Sequence, residues 1–276
     1  MLDLQQKAVE DNAVGKNRFI IKNKLAFLDR KIPTYFAPAG ILVLIAFWQL
    51  VCSIGLVNEL TLPSPYIVFT VGIELVLDGT LWIEIKASLL RISLGYLIGC
   101  FVGIVVGVLF GISKISERIG MPIVNLLYPI PKIAILPLIM LWLGIGEISK
   151  VTVIAIGVFF PIVYNTYMGV SQTSRLLINV AMTFGTNRWD LIRKVILPSS
   201  FPMVLSGMRI SAGTSLLLLV SAEMVAAQHG IGAFVLLNAD LLDISKVLVG
   251  VSVLCIIGIT INYGLAWLEK KLIPWR

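Results

Sequence analysis

Histidine occurs once in this chain, at His229, and cysteine three times, at Cys52, Cys100 and Cys255, each inside an apolar run. No pair of these has metal-ligand spacing, which argues against a metal centre, most histidine-based catalysis and a disulfide framework, and the cysteines read as small apolar packers. H-E-x-x-H, G-x-S-x-G and an acidic pair at helical spacing within an apolar run are missing, which argues against an intramembrane hydrolase or transferase. So is G-x-x-x-x-G-K-[ST], so the chain has no loop of its own for ATP phosphates. Charge is the scarcest commodity, with Asp, Glu, Lys and Arg making up 13% of 276 residues. A soluble domain carries about twice that fraction. The net charge of +7 comes without a dense basic stripe interleaved with aromatics, so it does not point to nucleic acid.

What the chain has in abundance is apolar surface, 58% of residues, more than one soluble core can hide. A bilayer removes that difficulty. About 20 apolar residues cross the roughly 30 Å hydrocarbon layer, and six stretches qualify: 36–57, 92–112, 122–143, 151–170, 201–227 and 247–268. The expectation is an all-α membrane protein of about six transmembrane helices. Residues 1–35 are polar and mixed in charge, unlike a cleavable signal. They read as a cytoplasmic N-terminal arm ahead of a transmembrane domain over 36–276, whose first span acts as a retained anchor.

Lys and Arg placement sets orientation. With the N-terminus inside, sixteen of the 22 basic residues fall on the cytoplasmic side. Only Lys86, Arg91, Lys150 and Lys246 fall outside, and Lys132 and Arg209 lie within apolar stretches. Both termini are therefore expected to be cytoplasmic. The external segment 58–91 opens on Leu62-Pro63-Ser64-Pro65, a rigid turn, and a short helix is expected over 66–77 and another over 233–242. Glycines at 95, 99, 103, 107 and 111 mark one face of the second span. Small residues there let a neighbouring backbone approach, within the subunit or across a seam to another copy.

The cytoplasmic loop 171–198 is the most informative segment. Asn179-Val180-Ala181 is followed by Gly185 and then by Val195-Ile196-Leu197-Pro198. Short helices are expected over 181–184 and 188–196, with Gly185 free to take a positive φ between them. Phe184, Trp189 and Leu191 supply apolar knobs, and Arg188, Asp190, Arg193 and Lys194 supply polar flanks, as in an amphipathic helix pair that docks in a partner's groove. This run resembles the permease signature of bacterial ATP-binding-cassette (ABC) importers, Glu-Ala-Ala, three residues, Gly, nine residues, Ile, one residue, Leu-Pro. The spacing matches throughout, and Asn179, Val180 and Val195 depart from the pattern. Tyr128-Pro129-Ile130-Pro131-Lys132, Trp142-Leu143-Gly144-Ile145-Gly146-Glu147, Gly207-Met208-Arg209 and Ala222-Glu223 are similar to one subfamily, the nitrate, bicarbonate, sulfonate and taurine permeases. Within it the Gly-Ile-Gly-Glu stretch is closer to the sulfonate and taurine members.

The resemblance implies a type I importer permease fold in a bacterial plasma (inner) membrane. It also implies a homodimer of this chain, two ATPase subunits that hold ATP and Mg, and an extracytoplasmic solute-binding protein. This chain would bind no cofactor itself. Ala181, Met182, Thr183, Phe184, Gly185, Thr186, Asn187, Arg188, Trp189, Asp190, Leu197 and Pro198 would then form the ATPase-coupling element. An intramembrane charge costs about 2.5–3.5 kcal/mol on insertion scales and needs a reason. The candidates for a translocation path are Pro129, Pro131 and Lys132 in a proline-broken span, Tyr164 and Asn165 in the fourth, and Arg209 and Glu223 in the fifth. Lys132 either attracts an anion, snorkels, or pairs with a carboxylate. Arg209 faces the path or a helix C-terminus, and Glu223 is a buried partner for a neighbouring helix or part of a gate.

Overall fold

The computed structural model describes residues 36–273, all of whose regular structure is helical. The expected arm over 1–35 lies outside the described residues. The helices are α1 (Phe36–Ser53), α2 (Pro65–Leu77), α3 (Thr80–Ile112), α4 (Lys114–Leu127), α5 (Leu136–Leu143), α6 (Glu147–Ser171), α7 (Arg175–Thr183), α8 (Arg188–Leu191), α9 (Leu197–Ala226), α10 (Ile231–Asp240) and α11 (Ile244–Leu272). A 3₁₀ turn over Lys132–Ile135 precedes α5, and a wide π-type turn over Ile192–Ile196 joins α8 to α9.

Helix α1 belongs to a compact unit of its own, and everything from Val57 onward forms a second. The α1 sequence carries no charged residue. In the second unit, α3, α6, α11 and the run Arg188–Ala226 are long and apolar enough to cross a bilayer. The α4 arm and the Lys132–Leu143 arm pass the same test only as a pair, bent at 88°. Four described helices therefore qualify, or five with the bent pair. The third expected span is thus a sharp corner. Pro129 and Pro131 lie in the break itself, where missing backbone donors and the φ of proline stop the helix.

Two expected spans are longer than sequence reading made them. Helix α3 begins at Thr80, not near 92, and its 33 residues run about 50 Å. Lys86 and Arg91, expected in an external loop, lie inside this helix. Arg91 is tolerated there because its charge is met by two carboxylates, which lowers the cost of burying it. The helix of the fifth span runs back to Arg188, beyond the expected start at 201, and Pro198 and Pro202 do not end the run. The two short helices expected outside the membrane appear at Pro65–Leu77, with the Ser64 hydroxyl accepting from the Ile67 N–H as N-cap, and at Ile231–Asp240.

Helix α6 is the axle of the second unit and the most buried of the long helices. Val153, Ile154, Val158 and Ile162 are wholly buried against α3 and α9. The glycine ladder explains how α3 fits so closely. A Cβ at Gly95 would sit 2.7 Å from Ile154, one at Gly99 2.6 Å from the Ala155 carbonyl, and one at Gly107 2.6 Å from Thr166. The ladder therefore packs within the subunit, backbone against α6. Pro161 interrupts the ladder of α6, and the Asn165 amide donates to the Pro161 carbonyl at 2.8 Å.

The contact is tight enough to measure. Gly99→Ala adds a methyl where backbone already stands, and overpacking of this kind costs about 1–3 kcal/mol. The expected result is a lower thermal midpoint for the detergent-solubilised protein. Gly213→Ala is the matched control, since nothing lies within 4 Å of its Cβ position. Equal midpoints would contradict the close packing.

Candidate functional site

The loop between α6 and α9 is a helical hairpin. Helix α7 ends in a closed turn in which Gly185 N–H donates to the Met182 carbonyl at 2.9 Å and Thr186 N–H to the Ala181 carbonyl at 3.2 Å. This is the Schellman pattern, and its left-handed residue is Gly185 at φ +75. Thr183 ends the helix and its hydroxyl returns to the Asn179 carbonyl. Asn187 then caps α8, its Oδ1 accepting from the Asp190 N–H at 2.8 Å. Helix α7 is thus longer than the expected 181–184, and the segment 188–196 runs on into α9.

At the hairpin's tip, Phe184 is 84% exposed and Trp189 71%. Met182 and Val180 are exposed beside them, whereas Leu191, expected as a knob, is half-buried. A glycine turn and an asparagine cap thus hold two large aromatics out as an exposed apolar patch, the kind of surface that marks interaction sites. Asp190 pairs with Lys194 at 3.2 Å. Below the tip, Leu197 N–H donates to the Ile192 carbonyl, one residue further back than in an α-helix. Pro198 explains this wide turn: its ring crowds the Lys194 carbonyl and it has no N–H to offer.

The charged path candidates each have a partner. Lys132 Nζ donates to the carbonyls of Leu127, Tyr128 and Ile130 at 2.9, 2.6 and 2.8 Å. It also lies 4.4 Å from the centre of the Phe160 ring. The ammonium therefore takes up backbone acceptors left by the break between α4 and α5, an arrangement that none of the three sequence alternatives named. Arg209 pairs with Glu269 of α11 at 2.6 Å. Tyr164 is exposed, and Asn165 is spent on its own helix.

Glu223 lies in a charge cluster at the far end of α6 from the hairpin. Its side chain is fully buried. It accepts from Arg91 at 2.8 Å, from the Ser88 hydroxyl at 2.8 Å and from the Gly232 N–H at 2.8 Å. The other edge of the Arg91 guanidinium grips Glu147 through Nε at 2.5 Å and Nη2 at 2.8 Å. Lys150 adds a bond to Glu147 at 2.9 Å. Arg91 also reaches the His229 carbonyl at 2.5 Å, Gly230 N–H donates to Glu84, and the His229 ring meets Glu84 at 3.1 Å. Sequence reading missed Ser88, Arg91, Glu147 and Lys150 as one site, because the sequence separation is 56 residues for Arg91–Glu147 and 132 for Arg91–Glu223.

The hairpin pattern and the long helices direct comparison to transport permeases. Residues 95–274 match the family described as binding-protein-dependent transport system inner membrane component. The chain belongs to that family. It is a permease subunit of an ABC importer, a multi-pass protein of the bacterial inner membrane and one member of a multi-subunit complex. It is 35% identical over 234 residues to the putative aliphatic sulfonates transport permease SsuC of Bacillus subtilis, covering 85% of each chain. It is 35% identical over 239 residues to the taurine transport permease TauC of Escherichia coli, covering 85% of this chain and 87% of that one. Among solved structures, the MetNI methionine ABC transporter in inward-facing conformations matches with a TM-score of 0.61 at 18% identity. That match covers 71% of this chain and 98% of its counterpart.

Proposed function

We propose that this permease imports a small organic anion of the sulfonate class, taurine being the first candidate and nitrate or bicarbonate the alternatives. The relatives' names support the substrate class. The observation that carries the mechanism is the hairpin whose Gly185 turn presents Phe184 and Trp189 to solvent. Two copies of the chain pair with two ATPase subunits, which hold ATP and Mg, and with a solute-binding protein outside. Six spans cross the membrane, α1 being the first and the bent α4–α5 pair the third, and both termini face the cytoplasm.

In this reading residues 181–190, with Leu197 and Pro198, seat the hairpin on the ATPase. Closure of the ATPase dimer pushes the hairpin. The push passes into α9 directly, because α8 and α9 form one helical run. It reaches α6 through the wall that α6 shares with α9. Such rocking between two packings is alternating access. Pro129, Pro131, Lys132, Tyr164, Asn165 and Arg209 lie along the moving wall, with Glu223 at its outer end.

Reconstitution decides the matter. Proteoliposomes holding the permease, its ATPase and its binding protein are expected to accumulate labelled taurine only with ATP inside the ATPase compartment. Accumulation of nitrate or bicarbonate but not taurine would move the substrate to the alternative. Uptake that persists without the ATPase subunit would make the chain a channel or secondary transporter and overturn the reading.

A further inference from the structure

Arg91 serves two carboxylates that differ in one respect. Glu223 is fully buried and pinned by three donors, Ser88 and Arg91 from α3 and the Gly232 N–H from α10. The Glu147 side chain is 61% exposed, although the two cations that hold it, Arg91 and Lys150, are each only 5% exposed. A buried carboxylate cannot leave its partners without a large desolvation penalty. An exposed one can exchange them for water at little cost.

The guanidinium cannot follow Glu147 if it leaves. Arg91 Nη1 is tied to Glu223 and to the His229 carbonyl, and the Lys150 side chain, whose ammonium bonds Glu147, is buried on α6. Withdrawal of Glu147 would therefore uncover a guanidinium edge held in place and a neighbouring ammonium, with one net positive charge between this pair and Glu223. That edge already grips a carboxylate through two parallel N–H donors. The same fork fits any planar or tetrahedral oxyanion. Glu147 also stands on a segment with room to move. It is the first residue of α6, preceded by Gly144 at φ +84 and by Gly146, and nothing lies within 4 Å of either glycine's Cβ position.

We propose that Arg91 and Lys150 form a binding site for the oxyanion head of the substrate, a sulfonate or carboxylate, which the Glu147 carboxylate fills in its absence and yields when the solute arrives. This deepens the importer reading above, in which solute arrives at the end opposite the hairpin, and it rests on that reading. Exchange of one anion for another keeps the cluster neutral. It also frees the N-terminus of α6 from α3, so arrival of the solute loosens the contact that closes this end.

The test is charge-selective labelling of the assembled importer in nanodiscs, with exposed Cys255 replaced by serine. In Glu147→Cys the new thiol lies beside the two cations. Its reaction with 2-sulfonatoethyl methanethiosulfonate is expected to outpace that with the trimethylammonium reagent by about tenfold, each normalised to its rate with a free thiol. That is the lower end of what a focused field adds to an anion's approach rate. Lys150→Met should shrink the preference, and millimolar methanesulfonate should slow the labelling whereas choline should not.

Labelling that ignores charge and is not slowed by methanesulfonate, in a complex that still hydrolyses ATP, overturns the proposal. If Glu147→Cys does not assemble, Ile145→Cys decides with the clamp intact. Methanesulfonate should speed its reaction with maleimide severalfold, and an unchanged rate overturns the proposal. The importer reading is judged separately, by ATP-driven taurine uptake of the unmodified complex.

Discussion

A Gly185→Val permease is expected to insert and accumulate normally yet lose ATP-driven uptake by a factor of roughly 5–30. The backbone at Gly185 is left-handed, at φ +75. An L-residue there costs about 1–2 kcal/mol, and a β-branched one is a genuine outlier. One or two kcal/mol is a factor of roughly 5–30 in a two-state population. The turn would open to relieve the strain, the Thr186 to Ala181 bond would break, and Phe184 and Trp189 would no longer stand at a fixed separation. The spans themselves do not depend on this turn, since no atom lies within 4 Å of the Gly185 Cβ position. Backbone strain alone therefore carries the effect. Gly185→Asn, which tolerates the left-handed region, should retain most uptake. Co-purification with the ATPase subunit reports the same loss independently, and a valine variant with full uptake and full co-purification would remove the hairpin from the coupling role.

The largest effect on stability is expected from Arg91→Met. The substitution leaves Glu223 fully buried without its counter-ion, and breaking a buried pair on one side costs about 3–5 kcal/mol. It also releases Glu147 from the clamp. The variant should accumulate poorly and melt well below the parent in detergent. Arg91→Met combined with Glu223→Gln should recover part of the loss, because the amide needs no counter-ion and can keep the Ser88 and Gly232 bonds. If the single variant melts with the parent, the cluster does not hold α3, α6 and α9 together.

Much of this molecule is written locally. The five glycines of α3 recur at every fourth residue, so a close helix contact could be read before its partner was known, and α6 supplies it. Gly185 flanked by short amphipathic segments declared a turn, and the short helix after Pro65 was expected from 66. Other features depend on partners remote in sequence. Arg91 looked like the edge of a loop because charge ordinarily ends an apolar run. Only the approach of Glu147 and Glu223 lets α3 run through it. The fifth span was expected from 201, yet its helix runs back through Pro198, which a widened turn absorbs. Lys132 was legible as a charge needing an explanation. Its explanation, three carbonyls turned toward it by the corner at Pro129 and Pro131, depends on that corner being folded.

The widened turn ahead of Pro198 has a geometric result beyond accommodating a ring. Each α-helical residue advances the azimuth by about 100°, and the Leu197 N–H reaching back to Ile192 places one surplus residue between α8 and α9. The compass bearing of the aromatic tip is therefore offset from the face that α9 turns toward α6. The two surfaces obey separate phase relations, one set by the hairpin tip and one by the wall against α6, although a single rod-like run of chain carries both.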